Sequence, residues 1–251
     1  MLPRPLIFLS SLWLIGSWLI SLGVRTPIQP TASGFMPGVR LLLLCVAVGL
    51  MIGWPLLRLS QKPAWYPITQ TWLDLIVLLG MMQVVIWPLR LVTDWSVERM
   101  AAIDATLTGW TILAGAAIAA PGIAAKYVKG NRSTKNEGGI SEEYFGVGPR
   151  NLAMLTCLGM GLLGPALAWV GAFSGVEIGE SGGGLTMELI SLGPFMAVRT
   201  LVESDIAGAR LTPVQWHWII LLGVAGWLVW TALIMTNTWL NPRNHPRPRN
   251  R

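Results

Sequence analysis

Six stretches of about twenty mainly apolar residues, separated by shorter polar segments, constrain this chain more than any other feature. They are Leu6 to Val24, Val39 to Leu57, Trp72 to Val92, Thr106 to Ala125, Leu152 to Phe173 and Trp216 to Met235. A helix rises 1.5 Å per residue and the hydrocarbon core is roughly 30 Å thick, so runs of this length are what crossing a bilayer requires. Because lipid offers the backbone no hydrogen bonds, such runs are expected to satisfy them internally as helices. The expectation is an all-α polytopic membrane protein, one transmembrane domain over residues 1–251. The charge content fits: 12% of residues are charged, against about 25% in soluble domains. The first run follows Arg4 and ends in Ser21-Leu22-Gly23, yet it is too long for a signal-peptide core and reads as a span.

With six spans, both termini and two of the loops share a side. Twelve of the 18 Lys and Arg fall there: Arg4, Arg58, Lys62, Lys126, Lys129, Arg132, Lys135, Arg150, Arg243, Arg247, Arg249 and Arg251. The positive-inside rule then puts both ends in the cytoplasm, with the chain in a cell (inner) membrane. Trp54, Trp72, Trp87, Trp216, Trp218 and Trp239 sit near the ends of the runs, where indoles favour the headgroup level. Trp13, Trp18, Trp110, Trp227 and Trp230 lie deeper and are expected to pack between helices. The inner loop 126–150 is polar and Gly-rich, as a mobile segment would be. The outer loop 174–215 contains Leu185 to Val198, too short to span, and a re-entrant or interfacial helix broken at Gly193-Pro194 is expected.

Chemistry-bearing residues are sparse. The two cysteines, Cys45 and Cys157, lie inside apolar runs, and the two histidines cannot build a haem or metal site alone, so no cofactor is expected. The basic residues sit in short clusters between spans, which reads as topology and not as a nucleic-acid surface. Gly179-Glu180-Ser181-Gly182 has the spacing of an intramembrane serine protease motif, with His217 downstream, but no upstream histidine and asparagine elements accompany it and a turn is the better reading. Glu142-Glu143 read as part of a solvated loop. No catalytic set converges, and an enzyme is not expected. Three polar residues interrupt the third run: Asp74, Gln83 and Arg90. Asp74 is the one acid in an apolar run, and an intramembrane carboxylate is a functional candidate by default. Arg90 and Asp94 are spaced for an i,i+4 pair. The Gly and Ala of the fourth and fifth runs allow close helix approach, as a packed seam or a dimer interface would use.

In its layout the chain resembles the membrane subunits of ABC exporters of the type-2 permease class, which include the haem-exporter permease (CcmB) family of cytochrome c maturation. The stretch Leu22 to Val39 is similar to an outer loop of that family, and Trp72-Leu73, Trp87-Pro88-Leu89 and Leu107-Thr108-Gly109 follow the order of its third and fourth helices. The resemblance implies a permease that dimerises, gates by moving helix bundles and is driven by a separate ATPase, since the chain has no G-x-x-x-x-G-K-[ST] loop of its own. It also implies that the inner connection Arg58 to Thr71 docks that ATPase, with Arg58 and Lys62 supplying charge and Trp65 and Tyr66 as anchors. The alternative is a non-catalytic structural or assembly subunit of a larger membrane complex.

Overall fold

The computed structural model describes residues 4–23, 32–61, 66–132, 142–173, 193–203 and 211–239, and every regular element among them is helical. Helix α1 (Arg4–Trp18) widens into a π-helical turn over Leu19–Gly23. Helix α2 (Ala32–Val48) passes through a second π turn (Gly49–Gly53) straight into α3 (Trp54–Ser60). Helix α4 (Pro67–Ile86) tightens into a 3-10 turn at Trp87–Leu91. Then come α5 (Val97–Arg132), α6 (Glu142–Phe173), α7 (Pro194–Glu203) and α8 (Pro213–Trp239). Among the described residues, five helical stretches are long and apolar enough to cross a membrane: Pro5–Gly23, Gly34–Ser60, Pro67–Leu91, Val97–Ala124 and Pro213–Trp239. They mark a membrane-embedded helical protein.

Two prolines account for two of these three irregular turns. Pro55 has no N–H to give the Met51 carbonyl and its ring crowds that carbonyl, and the π turn directly before it widens the backbone there. Pro88 does the same to Val84, and the span tightens into 3-10 geometry from Trp87 onward.

Several sequence expectations change at the ends of helices. The inner connection expected from Arg58 to Thr71 shrinks, because α3 runs to Ser60 and α4 starts at Pro67, a residue well suited to a first helical turn. Helix also covers 126–132 and 142–150, so the loop expected over 126–150 is corrected to at most 133–141, which lies outside the described residues. Glu142, Glu143 and Arg150 are therefore helical. The fourth span begins at Val97, ahead of the expected Thr106. The Arg90–Asp94 pair does not form: the 3-10 turn ends at Leu91, so the two residues no longer face each other across one α-helical turn, and both are exposed.

Helix α5 occupies the centre, packed against α3, α4, α6, α7 and α8. Its small residues permit this. A Cβ on Gly115 would meet Leu75 and Trp54, and one on Gly122 would come within 2.5 Å of Pro67. Helix α8 runs parallel to α5, with Trp216 donating to Glu98 at 3.2 Å near one end and Trp230 donating to the Ile112 carbonyl at 3.0 Å further along. Gly226 faces Ile112 across this seam, and the Trp230 ring packs on Trp72.

The ten residues of α7 extend about 15 Å, too short to cross. Its Val198, Leu201 and Val202 are buried against α2, α5 and α6. Gly193 lies so close to α6 that an added Cβ would come 2.6 Å from the Gly164 nitrogen. Of the expected helix over Leu185 to Val198, residues 185–192 lie outside the described residues, and a described helix begins at Pro194.

Candidate functional site

The third span carries its charge inward. Asp74 is 1% exposed, and its Oδ2 lies 3.1 Å from Nε of Arg58 on α3. Thus two residues expected to act separately, one as an intramembrane carboxylate and the other as a docking cation, form one ion pair across the α3–α4 connection. Arg58 also donates through Nη1 to Gln61 Oε1 at 3.0 Å, which ties the guanidinium to the end of its own helix. Its side chain is 15% exposed, so the aliphatic stem is packed while the head reaches the carboxylate.

The pair is incompletely satisfied. Apart from Arg58, Gln70 and Trp54 turn donors toward the carboxylate. Neither makes an aligned hydrogen bond: both carboxylate oxygens and the Trp54 indole N–H are buried without a hydrogen-bond partner. Trp54 is 2% exposed, so its expected position at the headgroups is corrected: it sits one turn before Arg58, between α3 and the small Gly115 of α5. Buried polar atoms left this way cost about 1–3 kcal/mol each. Such a cluster is held by its surroundings and will respond to any group that completes it.

A second polar contact lies further along the same span. Gln83 donates through Nε2 to Asp104 Oδ1 on α5 at 2.7 Å, while its Oε1 accepts from Trp87 Nε1 at 2.6 Å. Gln83 is therefore an interhelical link. Asp104 falls within a stretch able to cross the membrane, so Asp74 is not the only acid in the spans. The apolar run that defined the fourth span begins just after Asp104, which hid it; the Glu98–Arg99–Asp104 spacing of charges was the signal available. Arg99, at 2% exposure, was also missed.

The remaining candidates divide. Tyr66 is exposed at the start of α4, Arg90 is exposed on the 3-10 turn, and Lys62 and Trp65 lie outside the described residues. The Gly179–Gly182 motif lies outside them too, and His217 hydrogen-bonds the Pro213 carbonyl in the first turn of α8. Among the described residues no three His, Cys, Asp or Glu side chains are grouped to hold a metal ion. Cys45 and Cys157 are free thiols, the second fully buried.

No protein-family model, curated protein or solved structure matches the chain. What fold and site define is a membrane-embedded helical protein with a charge pair buried where its second and third spans meet.

Proposed function

We propose that the chain is the membrane subunit of an ABC-type exporter, powered by a separate ATPase and assembled as a homodimer or within a larger complex. In this reading α6 is the fifth of six spans, α7 is a short element entering from the outer face, and both termini are cytoplasmic. The single observation that carries it is the Arg58–Asp74 pair. It links the short inner connection, where such a permease would receive the push of its ATPase, to the third span two turns beyond that connection. A displacement of residues 61–66 would be passed to Asp74 through the guanidinium, and a buried pair has two discrete states, made or broken, as a gate needs. Haem is the cargo that the family resemblance brings forward. Arg58 then acts as a coupling residue inside the fold, leaving Lys62, Trp65 and Tyr66 as the docking surface.

The test is purification in mild detergent followed by reconstitution. An ATPase subunit is expected to co-purify, and replacing Trp65 and Tyr66 by alanine is expected to release it while the membrane subunit stays inserted. If no ATPase associates, the exporter reading fails.

One feature favours the second reading, a structural or assembly subunit. The α8 surface is lined by exposed Ile220, Val224, Trp227 and Leu228, a stripe as suited to a partner helix as to lipid. Recovery of a stable larger complex whose contacts map to that stripe, with no nucleotide-binding subunit in it, would select this reading.

A further inference from the structure

A cleft of about 240 Å³ opens between α1, α2–α3 and α4. Its walls are almost wholly apolar and belong to membrane-spanning stretches: Leu6 to Leu14 along α1, Val46 to Leu57 along α2–α3, and Leu78 to Met82 along α4. Glycines shape one wall. The Trp13 ring lies on Gly49, where any Cβ would strike the indole, and its Nε1 donates to the Cys45 carbonyl at 3.0 Å. At Gly53 an added Cβ would meet nothing within 4 Å. From Leu6 to Leu14 the cleft follows α1 for about 12 Å. An apolar cavity of roughly 150 Å³ already takes benzene, so this one has room for a longer hydrocarbon segment.

One end of the cleft is polar. On α2–α3 the lining stripe runs Leu50, Trp54, and the next residue on it is Arg58; on α4 it runs Met82, Leu78, and the next is Asp74. The ion pair therefore lies one helical turn beyond the Trp54 and Leu78 lining, at the end of the cleft where α1 begins. A guanidinium has five N–H donors. Among the described residues, those of Arg58 are directed to Asp74 and Gln61, and the Trp54 N–H in the cleft wall is buried with no hydrogen-bonded acceptor. An apolar slot ending in unused donors fits an amphiphile with a hydrocarbon tail and oxygen acceptors at its head.

We propose that this cleft holds one acyl chain of an anionic bilayer phospholipid, whose headgroup oxygens accept hydrogen bonds from Arg58 and Trp54. The bilayer is the source argued from the fold: the cleft lies along spans whose outer residues, such as Phe8 and Leu12, are exposed at membrane depth. The inference does not rest on the exporter reading, because binding needs no ATPase.

The test uses the full chain in nanodiscs containing phosphatidylglycerol with a photoactivatable group in mid-chain, and mapping of the labelled peptides. Labelling concentrated on residues 6–14 and 46–57 and on Met81 is expected, reduced severalfold when phosphatidylcholine carries the probe. Gly53→Leu fills the cleft and is expected to lower that labelling severalfold. Gly16→Leu, which also has open space around it but does not line the cleft, is expected to leave it unchanged and serves as the folding control. The double substitution Arg58→Gln with Asp74→Asn is expected to remove the preference for the anionic lipid while the tail still labels. Labelling spread evenly over α8 and α1, or indifferent to Gly53→Leu, would overturn the proposal. So would displacement of the probe by free fatty acid but not by unlabelled phosphatidylglycerol.

Discussion

Helices α5 and α8 lie side by side and run in the same direction, yet they are used in opposite ways. The membrane-spanning stretch of α5 is 56% buried within the protein and that of α8 only 11%, although α8 has the higher mean hydropathy. In water the more apolar helix would go inside. In a bilayer, lipid tails receive Leu, Ile and Trp as well as a protein interior does, so apolar content gives little reason to be central. What α5 has is small and weakly polar residues: Ala102, Ala114, Ala116 and Ala119 are buried, and Thr106 and Thr111 return their hydroxyls to the carbonyls of Ala102 and Leu107. Close approach and interhelical hydrogen bonds place it at the centre, and α8 keeps its bulk for the outside.

The strongest way to break this comparison is to unbalance the charge that only a central seam tolerates. Asp74→Ala leaves Arg58 buried without its partner and is expected to destabilise the fold by about 3–5 kcal/mol, whereas the double substitution Arg58→Met with Asp74→Leu should recover most of that loss. Thermal unfolding of the purified protein in detergent measures both. Failure of the double variant to recover would mean that the pair does more than neutralise itself.

Next in size is crowding of the core helix. Ala114→Leu, at a fully buried position on α5, is expected to cost about 1–3 kcal/mol through overpacking. The same unfolding assay should show it, and a neutral result would make α5 less tightly held than its neighbours imply.

A smaller loss is expected at Gln83→Leu, which removes the hydrogen bond to Asp104. Interhelical hydrogen bonds in membranes average about 0.6 kcal/mol and reach about 1.7. Asp104→Asn keeps an acceptor for Gln83 and should lose less, a ranking that chemical denaturation of the two variants can order.

At the bottom of the scale, Val224→Ala and Ile220→Ala on the exposed face of α8 should stay within about 0.5 kcal/mol of the parent. A larger loss at either would reveal a packed partner on that face and would favour the assembly reading over lipid contact.

The tryptophans show where sequence reading worked and where it could not. Distance from the end of an apolar run predicts depth, since depth follows from rise per residue, but it says nothing about direction around the helix. Trp230 is buried between helices as expected. Trp18 and Trp227, at comparable depth, face outward at 52% and 68% exposure. Trp54, expected at the headgroups, is among the most enclosed side chains. The same limit applied to Asp74: its presence in a span was plain, while its partner depended on how far α3 continued and which way Arg58 turned.

From the sequence alone comes the membrane-embedded helical class, because length and polarity are properties of single segments and the bilayer tests each separately. Tertiary structure alone decided that α5 is central, that Gln83 meets Asp104, and that Arg58 turns to Asp74 beside an apolar cleft. Those outcomes depend on which faces of different helices meet. In lipid that choice rests on shape and on a few polar contacts, neither of which an apolar run records.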